Sequence, residues 1–345
     1  MSGPVAFAVD TFGDVTKDKS GKELHQAQVI RDIVEQAVLA EQVGLDAFGV
    51  GEHHRRDFAV SAPEVVLAAI AARTHRILLA SAVTVLSSDD PVRVFERFAT
   101  LDAISHGRAE IILGRGSFTE SFPLFGYDLD QYEELFEEKI ELLSVLLNEG
   151  PVTWRGKLRS PLTGQEVYPK TESGRLRTWV GVGGSPKSVV RAASYGMPLM
   201  LAIIGGSPQR FAPFIELYHN ALAQLGSPAL PVGVHSPGYV AETDEDAREQ
   251  AWPHYRDLHN RIGRERGWGP TTRSHFDAEA ETGSLYIGSP ETVAARIAQT
   301  IGSLGIQRFE LKYSSGTLPH EKLMSSIALY GEQVVPRVRQ LLTAA

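Results

Sequence analysis

With 345 residues, 43% of them hydrophobic, the chain is long enough for one α/β barrel with insertions or for two smaller domains. Acidic residues outnumber basic ones, 42 to 34, for a formal charge of −8, which argues against nucleic acid as the main partner, since a polyanion needs a basic stripe. The absence of cysteine excludes disulfides, thiolate metal sites and cysteine nucleophiles, and no run of about 18 apolar residues is present to span a membrane.

The start, Met1–Phe7, lacks the basic and long apolar regions of a signal peptide, so a soluble, cytoplasmic protein is expected. Short apolar runs then alternate with helical patterns. Val5–Val9 reads as a strand and Gln26–Val43 as a helix with Ile30, Ile33, Val34, Ala37 and Val38 on one face. Strand Asp46–Gly51 precedes helix Ala62–Thr74, and strand Ile77–Val85 precedes a helix from Pro91 to Ser105. Strand Ala109–Leu113 leads to a long helix, Gln131–Leu147, with Asp130 and Glu133 spaced as a capping box. Residues 150–177 break the rhythm and read as a surface insertion, a hairpin in form.

Alternation resumes with strand Thr178–Val182 and helix Pro186–Tyr195, strand Pro198–Ile204 and helix Pro208–Leu225, then strand Pro231–Ala241 and helix Asp244–Ile262. Residues 263–283 are polar and aperiodic and read as a mobile lid, a disordered stretch or a packed partner-binding segment. Helix Pro290–Ser303, strand Arg308–Tyr313 and helix His320–Leu342 close the chain. Eight strands, each followed by a helix, predict one (β/α)₈ TIM barrel over residues 1–345. The competing open doubly wound sheet calls for G-x-G-x-x-G after its first strand, where Val9-Asp10-Thr11-Phe12-Gly13-Asp14 stands instead.

Barrel active sites lie where strands end, which selects three runs. Glu52-His53-His54-Arg55-Arg56-Asp57 follows the second strand; His is suited to proton transfer near neutrality, and a neighbouring carboxylate can orient it. Adjacent residues of an extended chain point to opposite sides, so His53 and His54 are poorly placed to share a metal ion, and none is expected. Gly114-Arg115-Gly116-Ser117 follows the fourth strand and offers a guanidinium to a phosphate or carboxylate, or else to a nearby acid such as Glu120. Gly183-Gly184-Ser185-Pro186-Lys187-Ser188 reads as an anion-binding helix start. Gly-Ser-Pro recurs at 206–208, 226–228 and 288–290, so each copy also reads as an ordinary helix start, with Gly288 the rival phosphate site.

In this order the runs resemble the bacterial luciferase-like family of flavin-dependent monooxygenases. Gly44-Leu45-Asp46-Ala47-Phe48, Ser81–Leu86, Asp89–Arg93, Leu101–Arg108, Phe125-Gly126, Ala192–Pro198 and Gly288–Thr292 carry the likeness as well. The resemblance implies a barrel holding FMN, or in some branches F420, at the strand C-termini. It implies reduced FMN from a separate reductase, O₂ and a small organic substrate oxidised through a flavin C4a-peroxide, in a homodimer or larger homo-oligomer. His53 matches the family's acid/base histidine, with Glu52 and His54 as its supports. Ala82-Val83 matches a non-proline cis peptide beside the flavin. Arg115, Gly184, Ser185 and Ser188 match the flavin-phosphate positions, and Gly116 and Ser117 are expected to bind the cofactor as well. The resemblance also leaves open F420-dependent hydride transfer or a non-catalytic flavin-binding subunit. Two departures stand out: Gly184 replaces a luciferase carboxylate, and Gly114 stands where luciferase has a cysteine, so light emission is not expected. The loops Asp10–Ser20 and Phe118–Tyr127 give no substrate signature.

Overall fold

The computed structural model describes residues 4–18 and 20–344. Met1–Gly3, part of the stretch weighed as a signal peptide, and Lys19 of the Asp10–Ser20 loop lie outside the described residues. The strands are β1 (Ala6–Thr11), β2 (Ala47–Val50), β3 (Leu78–Val85), β4 (Ala109–Gly114), β5 (Val152–Trp154), β6 (Leu162–Gln165), β7 (Arg177–Val182), β8 (Leu199–Ala202), β9 (Val232–Val240), β10 (Tyr286–Gly288) and β11 (Arg308–Lys312). Eight of them close a parallel barrel in the order β1-β2-β3-β4-β7-β8-β9-β11, and β11 returns to β1. Short β10 adds a ninth strand, pairing only with the end of β9, while β5 and β6 form a separate antiparallel hairpin inside residues 150–177.

Strand alternation explains both the stability of this barrel and its chemistry. Phe7, Val9, Phe48, Val50, Leu79, Ile111, Leu113, Val180, Leu199, Val234, Phe309 and Leu311 are buried in the large apolar core shared with the helices. The intervening positions face the barrel axis. There Ala80, Ala82, Ile112, Trp179 and Met200 form a small apolar cluster, and Asp10, Glu110, His235, Arg308, Glu310 and Lys312 supply charge. The strands read as continuous apolar runs because burial on both faces hides a period of two.

Three local expectations are corrected. No capping box forms at Asp130 and Glu133: Asp128 accepts from the Asp130 N–H and opens a 3₁₀ turn, the helix proper is Tyr132–Leu146, and Glu133 is drawn to arginines. Gly226-Ser227-Pro228 starts no helix but leads into β9. Residues 263–283 are not aperiodic: helix Asp244–Arg266 runs on into them, and Arg273–Glu281 forms a further helix that buries Phe276 and Ala280. Phe276 packs on Trp252 and Tyr255, contacts invisible to a search for a long amphipathic face. No described helix is long and apolar enough to cross a membrane.

Candidate active site

A cavity of about 400 Å³ opens at the C-terminal ends of the barrel strands. Glu52, His53, His54, Ala82, Val83, Arg115, Gly116, Ser117 and Ser188 all line it. Gly184 and Ser185 do not; Gly183 takes their place in the wall.

Glu52 leaves the end of β2 and reaches across to β3. Its N–H donates to Val83 O at 3.3 Å, and its Oε2 accepts from the Val85 N–H at 2.8 Å. Its other oxygen, Oε1, lies 2.8 Å from His54 Nε2. This carboxylate therefore braces the β3 end where the Ala82–Val83 peptide is cis. His54 turns away toward Phe125, with ring centroids 5.1 Å apart, so the two imidazoles diverge as an extended chain requires. His53 enters an aromatic cage, with ring centroids 4.6 Å from Phe12, 4.4 Å from Phe58 and 5.5 Å from Phe118. Burial there pushes its pKa down to about 3 against the pull of Asp14, and its Nδ1 has no hydrogen-bond partner. At neutral pH this side chain is a neutral imidazole with one nitrogen free.

Val83 leaves no room for a side chain at Gly114. A Cβ there would stand 2.5 Å from Val83 Cγ2, closer than side chains pack. Gly114→Cys is therefore expected to displace Val83 and cost about 1–3 kcal/mol, the range for overpacking. Urea denaturation of that variant measures the loss; wild-type stability would mean that β3 yields freely.

The helix starts are told apart by what already fills them. At Ser289 the backbone N–H donates to Asp244 Oδ1 at 2.7 Å, and Gly206 N–H donates to Glu279 at 3.0 Å. Each turn thus holds an internal carboxylate, which removes Gly288 as the rival anion site. Ser185 is the N-cap of Pro186–Ser194, its hydroxyl makes no capping bond, and no side-chain acceptor takes the N–H groups of this turn among the described residues. Arg115 projects toward the same end of the cavity and pairs with Glu133, not Glu120, which pairs with Arg55. Buried Arg191 donates to Ser188 Oγ at 3.2 Å and also pairs with Glu133 and Glu137. Lys187 lies 3.6 Å from both carboxylates. Three cations and two carboxylates leave this end one positive charge in excess, beside a helix N-terminus.

Sequence reasoning missed the cavity floor. His235 of β9 and Glu310 of β11 both line the cavity from below. His235 Nδ1 is 2.8 Å from Asp10 Oδ2 on β1, and its ring stacks 5.9 Å from Phe12, which also lies against His53. Burial disfavours the charged imidazole, but the charge and hydrogen bond of Asp10, together with the charge of Glu310, raise the pKa. Glu310 is raised to about 7 by burial, in part offset by Arg308, which lies 3.0 Å from it and also pairs with Glu110. A charged residue inside an apolar strand was the available signal.

Residues 11–308 match the family model of luciferase-like monooxygenases. The monooxygenase RslO1 of Streptomyces bottropensis superposes with a TM-score of 0.82 at 24% identity, over 96% of this chain and 99% of that one. The oxygenating constituent of 3,6-diketocamphane monooxygenase from Pseudomonas putida, solved with FMN, gives 0.77 at 16% identity over 97% and 99%. The coenzyme F420-dependent tetrahydromethanopterin reductase of Methanopyrus kandleri gives 0.72 at 19% identity over 97% and 100%. The alkanal monooxygenase alpha chain of Photorhabdus luminescens is 25% identical over 68% of this chain and 65% of that one. The chain belongs to the luciferase-like monooxygenase family.

Proposed function

We propose that this protein is an FMN-dependent monooxygenase that uses reduced FMN and O₂ to oxidise a small organic molecule. The observation that carries the reading is the cavity itself. Its cationic end, at Arg115, Ser188 and the unfilled turn at Gly183–Ser185, suits a phosphate. Its walls around Ala82, Val83, Ile112 and Gly181 suit a flat ring, and His53 sits beside them with a free nitrogen. Reduced FMN, when bound, supplies the electrons that activate O₂. His53 then holds or accepts a proton at Nδ1, Glu52 and His54 fix the segment that carries it, and the aromatic cage excludes water. The reading takes a separate reductase as the source of reduced FMN and a homodimer or larger homo-oligomer as the working form. F420-dependent hydride transfer is the second reading, since a neighbour on the same fold uses F420. The lid narrows to the helix end near the mouth, where Arg266 donates to Ser117 O at 3.0 Å and Glu265 pairs with Arg55 at 2.7 Å.

Titration with FMN, reduced FMN, FAD and F420 tests the cofactor; tight F420 binding without FMN binding would replace the first reading by the second. The phosphate end has its own test. Arg115→Ala is expected to remove most of the preference for FMN over riboflavin. Glu133→Gln, which deletes an anion beside three cations, is expected to tighten FMN about three- to tenfold and leave riboflavin unchanged. Equal FMN affinity in wild type and both variants places the phosphate elsewhere.

A further inference from the structure

We propose that His235, Asp10 and Glu310 form a polar subsite at the cavity floor that takes a hydroxyl or carbonyl head group of a substrate whose remainder is apolar. The proposal rests on the cavity being the active site named above and adds the class of substrate.

Polar atoms in the floor are left over after every protein contact is counted. His235 gives Nδ1 to Asp10, and its Nε2 makes no hydrogen bond among the described residues. Oε1 of Glu310 and Oδ1 of Asp10 are buried without a hydrogen-bond partner. Buried carboxylate oxygens are ordinarily paired, so two orphans beside an open imidazole nitrogen mark a place where a donor and an acceptor from outside belong. Glu310 is fully buried, and it faces the cavity. Gly49 lets the Asp10 and Glu310 side chains lie where they do: a Cβ there would stand 2.7 Å from both Asp10 Cβ and Glu310 Oε1.

The surroundings decide the rest of the ligand. Above the floor, beside the wall given to the flavin ring, the lining is Met200, Ala202 and Ile204, with no polar side chain among them. A molecule polar at every edge would leave its own groups unpaired there. The charged groups that face the floor are Asp10 and Asp14 from β1 and the turn after it, Glu110 from β4, and Arg308, Glu310 and Lys312 from β11. Asp10 and Glu310 beside His235 pull its pKa up against burial, and its open Nε2 next to the orphan carboxylate oxygens gives the floor a donor and an acceptor together. A phenol, an alcohol or a ketone matches that pair; a plain hydrocarbon does not. The cationic end at Arg115 is a separate region, and His53 lies across the Phe12 ring from His235.

The test uses two probes of one shape, 4-methylphenol and toluene, titrated calorimetrically into the full-length protein with and without saturating FMN. Wild type is expected to bind 4-methylphenol about tenfold more tightly than toluene, the size of one or two net hydrogen bonds. His235→Asn is expected to bring the two within about twofold, and its retained toluene affinity shows that the cavity is still folded. Asp10→Asn, which keeps the imidazole but loosens it, is expected to lie between. Equal affinities in wild type overturn the proposal, as does a preference that survives His235→Asn. Competition between FMN and 4-methylphenol also overturns it, because the floor would then belong to the cofactor. A preserved preference in a protein that binds no FMN upholds the floor and removes the flavin reading.

Discussion

Replacing His53 by alanine is expected to lower substrate oxidation with enzymically supplied FMNH₂ by about 10²–10⁴-fold, the range for a positioned acid/base. FMN affinity should change little, because the phosphate end at Arg115 and Ser188 is left intact. The measurement is product formed and hydrogen peroxide released per NADH, over a panel of alkanals, ketones and phenols. Unchanged product yield in the variant would sink the role. The environment of the ring also fixes a second signature. Burial holds the folded-state pKa near 3, below the usual 6.5. Between those values the unfolded chain binds the proton and the folded protein does not. Stability contributed at neutral pH is therefore lost as the pH falls through that window. His53→Ala removes this dependence, so its acid limb should be flatter than that of wild type. Lost packing alone would change stability equally at all pH values.

Much of the barrel is legible in the sequence because each βα unit carries its own signal, a short apolar run followed by a 3.6-residue pattern. Strand ends then select the runs that hold Glu52, His53, Arg115 and Ser188. What is not legible depends on register. Arg308 and Glu110 are 198 positions apart, and each looks like an isolated charge in an apolar run until the closed barrel brings both inward. His235 and Asp10 are 225 apart and meet for the same reason. Four Gly-Ser-Pro copies are equivalent as sequence. Only the positions of Asp244 and Glu279, supplied by distant helices, show which turns are already filled. Helix Arg273–Glu281 escaped for a third reason, since nine residues with two buried side chains leave too short a pattern.

The largest effect on stability is expected at Arg308, whose guanidinium stands between Glu110 and Glu310 with its side chain 4% exposed. Arg308→Leu leaves Glu110, Glu310 and Asp10 facing one another across the barrel, with Lys312 as the remaining fixed cation. Removing one partner of a buried ion pair costs about 3–5 kcal/mol, because the charge left behind is uncompensated. The pH dependence separates repulsion from lost packing. Glu310 already titrates near 7, raised by burial and restrained by Arg308. Without that restraint its folded-state pKa climbs further above the unfolded value. The folded variant then binds protons that the unfolded chain releases, so its stability is greatest at low pH and falls as the pH rises through the folded pKa. Urea denaturation of the variant is thus expected to show a larger loss relative to wild type at pH 8 than at pH 5. Adding Glu310→Gln should recover part of the loss at pH 8 and little at pH 5, a coupling that a double-mutant cycle reads directly. An equal loss at both pH values, with no recovery by Glu310→Gln, would assign the effect to the volume of the arginine rather than to its charge.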